Sequence, residues 1–210
     1  MHRSLYKIHA WLGLALAPVL FVICFSGTLA VFGPEIDWLA DDAWRVEARD
    51  RPYDWNAVYE GVRAAHPHKR IHFILAPRHP GFAARVLVTP VGGEYLNVLV
   101  NPYTGSVQAT TSYWNAWRFL RSFHRRMMIP NPAGIVVATG FGLFVLVSLI
   151  TGILAYRKWW RIGLRVRWSQ RLRVLLGDSH RALGLACFAI ALPVALTGLW
   201  YMIELVQPPA

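Results

Sequence analysis

The sequence predicts a helical membrane protein, with three transmembrane helices and a small α+β module inserted between the first and second. Three observations carry that expectation. Residues 10–33, 133–156 and 182–203 are apolar runs without a Lys, Arg, Asp or Glu inside them. Each exceeds the roughly 20 residues that cross a hydrocarbon core of about 30 Å at about 1.5 Å of helical rise per residue. Residues 34–123, in contrast, hold ten basic and nine acidic residues, the balance of a water-exposed module. Finally, the formal surplus of eleven positive charges is concentrated: Arg157, Lys158, Arg161, Arg165, Arg167, Arg171 and Arg173 lie close together with no acid among them. That pattern sets membrane orientation and lies on anionic headgroups; it does not point to nucleic acid. It places residues 157–179 and the Arg3/Lys7 end in the cytoplasm, and residues 34–132 and the C-terminus outside. The topology is N-in, C-out.

The elements follow in order. Residues 1–33 comprise a short basic lead and the first span, which is too long for the apolar core of a signal peptide and reads as a permanent helix. Gly33-Pro34 should end it. Residues 34–112 form the module. A connector rich in acids and Trp occupies 35–53. A helix runs from the N-cap Asp54 to about His66 and stops at Pro67. Three β-type runs follow, "RIHFILA" (70–76), "ARVLVTP" (84–90) and "EYLNVLVNP" (94–102), separated by the turn-forming "PRHPGF" and "VGGE". "NPYTGSV" then turns the chain into one more short strand. Residues 113–132 read as an interfacial amphipathic helix, with Trp117, Leu120 and His124 on one stripe, and a bend at Pro130 and Pro132. The second span (133–156), the basic loop (157–179) and the third span with a short tail (180–210) complete the chain.

The two parallel spans share a pattern. "HAWLGLA" begins at His9 and "HRALGLA" at His180; seventeen residues after each histidine stands Ser26 or Thr197, followed by a glycine. With N-in, C-out topology both histidines lie at a similar depth near the inner face. Gly13 and Gly184 sit one turn beyond them on the same helix side. Two readings compete. A single histidine at a membrane helix end ordinarily caps, snorkels or hydrogen-bonds, and glycines in spans ordinarily serve close helix packing. Histidine and glycine in register, twice, instead suit a flat macrocycle clamped between two helices, with haem iron held by both imidazoles. Arg181, Arg3 and Lys7 stand beside the pair and suit either haem propionates or lipid headgroups.

The remaining groups carry less. His124 lies at the outer face without an evident partner. His66, His68, His72 and His79 follow no strict zinc spacing and read as solvated module histidines; one of them, or a histidine of another chain, would have to complete any site at His124. Cys24 and Cys187 fall at helix depths about 12 Å apart by helical rise, so they should not bridge, and they read as packing residues. The absence of Cys-x-x-Cys-His excludes covalent haem attachment of the c type. Ser26 and Thr197 should bond back to their own helix or across an interface. No Ser/His/Asp order, phosphate-binding glycine loop or paired carboxylate stands out.

Four segments in order, "KIHAWLGLALAPVLFVICFSG", "NVLVNPYTGSV", "RSFHRRMM" with "LVSLITGILAYRKW", and "DSHRALGLACFAIALPVALTGLW", resemble the bacterial PepSY-associated transmembrane proteins. These include iron-regulated membrane proteins and ferrisiderophore reductases. The resemblance covers nearly the whole chain and implies a PepSY-like module outside the bacterial inner membrane. It also implies b-type haem on His9, His180 and His124, with one haem on the inner pair. Larger members have an additional membrane helix and a longer outer region, so a second haem at His124 needs a ligand from a homodimer or a redox partner subunit. The function implied is electron transfer across the membrane to a ferric chelate such as a ferrisiderophore. The alternatives are a membrane-tethered binding or regulatory module, or a non-catalytic subunit of an iron-uptake complex.

Overall fold

The computed structural model describes residues 2–89, 93–156 and 158–207. Arg157 of the basic run, the end of the 84–90 run with the first half of the "VGGE" turn, and the last three residues of the tail lie outside the described residues. Helix α1 spans His2–Val31, α2 Gly33–Ala40, α3 Trp55–Ala65, α4 Ala116–Arg126, α5 Ala133–Ala155, α6 Trp159–Ile162 and α7 Leu172–Val206; strands β1 to β4 are Arg70–Leu75, Ala84–Thr89, Leu96–Val100 and Val107–Ser112. Helices α1, α5 and α7 are long and apolar enough to cross a membrane. The chain divides into two compact units, one of residues 1–25 and 123–210, the other of residues 26–122.

In the helical unit, α5 and α7 pack along one another, while α1 makes no comparably close backbone approach to either. Small residues set the α5–α7 contact: a Cβ on Gly142 would stand 3.2 Å from the carbonyl oxygen of Ala195, which is itself 2% exposed. This is the small-residue packing expected where lipid offers helices no hydrophobic incentive to associate. Both histidine-bearing helices start earlier than hydropathy suggests. The basic lead before His9 is helical from His2, and α7 begins at Leu172, eight residues before His180 and inside the segment read as a 157–179 loop. Charged side chains end a hydropathy window but not a helix; Arg and Leu here are sound helix formers outside the hydrocarbon. Cys24 and Cys187 are unbridged, and both are exposed on open helix surface instead of packed inside.

The sheet unit is a four-stranded antiparallel meander in the order β1-β2-β3-β4. Its central strands are covered on both faces. Val86, Val88, Val98 and Val100 meet Val58 and Val62 of α3 in one core. Residues of opposite parity face the other way, where Leu99 and Ala83 pack with Trp44, Trp38 and Val46. Each fully buried valine contributes about 1.5–3 kcal/mol, so the α3 face carries most of the module's cohesion. The third and fourth strands are joined as "NPYTGSV" anticipates: Asn101 Oδ1 accepts from Tyr103 N at 2.9 Å, and Gly105 takes φ +74° directly against the Ala57 carbonyl of α3, a conformation and an approach that exclude a side chain.

The connector at 35–53 is more ordered than its composition suggests. Phe32 separates α1 from α2, and Pro34 stands in the first turn of α2, where its missing N–H costs nothing. Gly33-Pro34 thus ends one helix by starting another. The glycine is also needed for packing, since a Cβ there would lie 2.6 Å from Trp117 Cδ1. A 3₁₀ turn (Asp42–Trp44) follows, and Ala83 N donates to Trp44 O at 2.9 Å.

Candidate functional site

Helix α1 carries His9 and α7 carries His180, and the two imidazoles face each other with ring centres 6.0 Å apart and planes tilted by 55°. Two imidazoles sharing one metal ion, each nitrogen about 2 Å from it, bring their ring centres to about 6 Å. The ring-centre distance of the pair is of that size.

Helix α5 fixes one of the two rings. His9 Nδ1 lies 3.0 Å from the carbonyl oxygen of Ser148. A carbonyl only accepts, so Nδ1 carries a proton and donates, and in the neutral ring the lone pair is on Nε2. The Thr151 hydroxyl lies 3.4 Å from the same nitrogen and donates to Val147 O at 2.7 Å. Gly152 provides the floor, because a Cβ there would sit 3.1 Å from His9 Cε1. This is the arrangement by which proteins orient a metal-binding histidine, one ring nitrogen tied to a backbone carbonyl and the other presented. His180 is exposed and makes no hydrogen bond among the described residues.

A Cβ built on Gly13 or on Gly184 meets nothing within 4 Å. The two share these open surroundings with Gly140, Gly177 and Gly198, where a Cβ likewise meets nothing within 4 Å. Close helix packing, the ordinary reason for glycine in a span, is served instead by Gly142 and Gly152. Next to the facing histidines, the two registered glycines border open space.

His124 is held in the same way as His9. Its Nδ1 is 2.8 Å from the carbonyl oxygen of Ile23, so its Nε2 is also left as the free nitrogen. Ile23 is fourteen residues along α1 from His9, about 21 Å by helical rise, so His124 belongs to a level of the helical unit distinct from the His9–His180 pair. Three of the four module histidines have local partners: His66 Nε2 with Thr110 Oγ1 at 2.8 Å, His72 Nε2 with Thr89 Oγ1 at 2.6 Å, and His79 Nε2 with Glu35 at 3.7 Å. Among the described residues no group of three or more His, Cys, Asp or Glu is placed to hold a metal ion.

Arg181 is already engaged. It donates to Asp178 Oδ1 at 2.8 Å and to the Arg165 carbonyl, and its guanidinium lies 5.4 Å from the Tyr156 ring centre. Arg167 donates to the other carboxylate oxygen of Asp178 at 2.7 Å. The carboxylate, 3% exposed, thus clasps the basic loop to the start of α7, and among the Arg181 donors only the buried Nε has no partner. Sequence reasoning passed over Asp178; the signal was the lone acid opposite seven bases, spaced i, i+3 from Arg181. Arg3 and Lys7 remain exposed. Lys7 lines an apolar cleft of about 600 Å³ with Ile8, Trp11, Leu16 and Phe144. Thr197 bonds back to Pro193 O at 2.9 Å, as expected of a hydroxyl in a span.

Three apolar helices and a four-stranded antiparallel module between the first and second define a multi-pass membrane protein, with His9 and His180 brought together in its helical part. The sequence matches the family model described as the PepSY-associated TM region over residues 6–209, and the chain belongs to that family. No curated protein matches it.

Proposed function

We propose that the protein is a bacterial inner-membrane electron-transfer protein that holds haem b between His9 and His180. The observation that carries this reading is the facing imidazole pair beside two glycines whose Cβ positions look onto open space. Bound haem would supply a reversible one-electron carrier. The chain does the rest. His9 offers Nε2 because Ser148 O fixes its tautomer, Gly152 and Thr151 keep its ring from turning, and Gly13 and Gly184 leave room for a flat group. The positive-inside bias of the basic segment between α5 and α7 supports an orientation with this pair towards the cytoplasmic face and the sheet module outside.

The acceptor, a ferric chelate such as a ferrisiderophore, follows from the resemblance to reductase members. Release of iron would follow reduction because hard oxygen donors hold Fe(III) more tightly than Fe(II). Transfer across the membrane needs a second carrier near His124, since the helical rise separates that residue from His9 by about 21 Å. A homodimer or a redox partner subunit would provide the missing ligand.

The test is optical. Protein expressed with ample haem is purified as wild type and as His9→Ala and His180→Ala. A Soret band in the wild type that is lost in both variants, with helical circular dichroism unchanged, supports the proposal. Identical spectra in all three would assign the histidines to packing and leave a membrane-tethered binding module.

A further inference from the structure

One further feature belongs to the sheet module alone and is independent of any bound haem. A cavity of about 300 Å³ lies beside the face of the sheet opposite α3, with Pro34, Trp44, Leu75, Phe82, Arg85 and Trp117 in its wall. Arg85 is the unexpected member. It sits in central strand β2, cross-strand from Leu99, which is fully buried, and between the buried residues Ala84 and Val86. Alternation in a strand covered on both faces calls for an apolar side chain at such a position. The guanidinium makes no hydrogen bond or ion pair among the described residues; it lies over the Trp117 ring, 4.7 Å from the centroid.

Two more guanidiniums crowd the same indole. Arg118 lies 5.5 Å and Arg121 5.3 Å from the Trp117 ring centre. Against these three stands one nearby carboxylate in the cavity wall, Asp37, and both its oxygens are occupied: Oδ1 accepts from Ala116 N at 2.7 Å and Oδ2 from Trp117 N at 3.3 Å. Asp37 therefore caps α4 and offsets the cluster only at a distance. At the rim, Glu35 is paired with Arg78 at 3.2 Å. Burial, and then the proximity of Arg118, pushes the Arg85 pKa down to about 10, which still leaves it charged at neutral pH. A half-buried cation with unfilled donors, in a wall otherwise aromatic and aliphatic, is costly unless an anion fills the space.

We infer that this cavity binds a small organic anion, its carboxylate or equivalent oxyanion paired with Arg85 and its flat apolar body laid against Trp117, Trp44 and Phe82. The volume is at the lower end for small-molecule sites. Guanidinium supplies planar, paired donors for an oxyanion, and the indoles supply faces for a flat body.

Benzoate is a suitable probe and benzamide its uncharged isostere. The full-length protein is placed in nanodiscs of zwitterionic phosphatidylcholine and titrated with each, reading tryptophan fluorescence and heat. The expected result is saturable binding with benzoate preferred by about tenfold or more, the size of one charge-assisted hydrogen bond. Arg85→Gln removes that preference and Arg85→Lys keeps part of it. The wild-type comparison alone tests the inference if a variant fails to fold. Equal affinity for the two probes, benzoate binding unchanged in a folded Arg85→Gln protein, or binding seen only when anionic lipid is added would overturn it; the last outcome would make the arginines a headgroup contact.

Discussion

The ring of His9 rests on the backbone of Gly152, so closely that a methyl at that glycine would stand 3.1 Å from Cε1. The consequence is specific to this position. Gly152→Val should push the imidazole off Ser148 O and lower haem occupancy several-fold. Gly140→Ala on the same helix, where a Cβ meets nothing within 4 Å, should leave occupancy unchanged. Haem absorbance per protein absorbance in the two variants reads the difference, and equal loss in both would mean that the helix, not the ring, is being disturbed.

Gly13 and Gly184 provide a complementary test. If they border a ligand cleft, Gly13→Leu and Gly184→Leu should leave the thermal midpoint of the haem-free protein unchanged while abolishing haem uptake. The alanine variants should even gain up to about 1 kcal/mol of helix propensity. Close packing against a neighbouring helix predicts the reverse, a clear loss of stability before any ligand is added.

Asp178 holds the basic loop through Arg167 and Arg181. Asp178→Asn removes the charge that gathers both guanidiniums, so the segment 163–171 should open. Trypsin, which cuts after arginine, should then cleave there markedly faster than in the wild type, with the α5–α7 contact intact. An unchanged cleavage rate would show that the loop is held by something else.

The sheet module should show a mild acid sensitivity through His66. Burial first, and the nearby Lys69 second, hold its pKa below the usual histidine value. The folded chain therefore binds this proton less readily than the unfolded one. Its contribution to stability is present above the ordinary value of about 6.5 and declines as pH falls through the lower folded value. Hydrogen exchange of α3 and β4, which meet at the His66–Thr110 bond, should quicken between about pH 7.5 and about pH 5. His66→Gln should flatten that dependence; an unaltered slope in the variant would assign it to another group.

How much of this was legible in the sequence depended on which physical signal each residue carries. The three spans were legible because more than twenty residues without charge have few other uses, and the α3 and strand positions because Asp54, Pro67 and the turn residues punctuate them. His9 and His180 emerged from an internal repeat, a pattern that needs no structure to notice. The true starts of α1 and α7 did not emerge, since Arg3, Lys7, Arg173 and Asp178 stop a hydropathy run without stopping a helix. Arg85 was invisible for a different reason. In "ARVLV" alternation does not tell which parity faces α3 and which faces the Trp44 layer, and an arginine in a strand is ordinarily assigned to solvent. Gly33 was read as a helix stop, yet its second constraint, the indole of Trp117 more than eighty positions away, is a tertiary fact. The Ser148 carbonyl that fixes the His9 tautomer likewise has no sequence signature, because every residue offers a carbonyl.

The most direct test of the central claim is the haem content per chain of the purified wild-type protein, measured as the pyridine haemochrome after expression with haem in excess. The account predicts non-covalent haem b at one equivalent or more per chain, low-spin in the oxidised state as two imidazole ligands require. A folded, three-span protein that carries no haem under those conditions would contradict it.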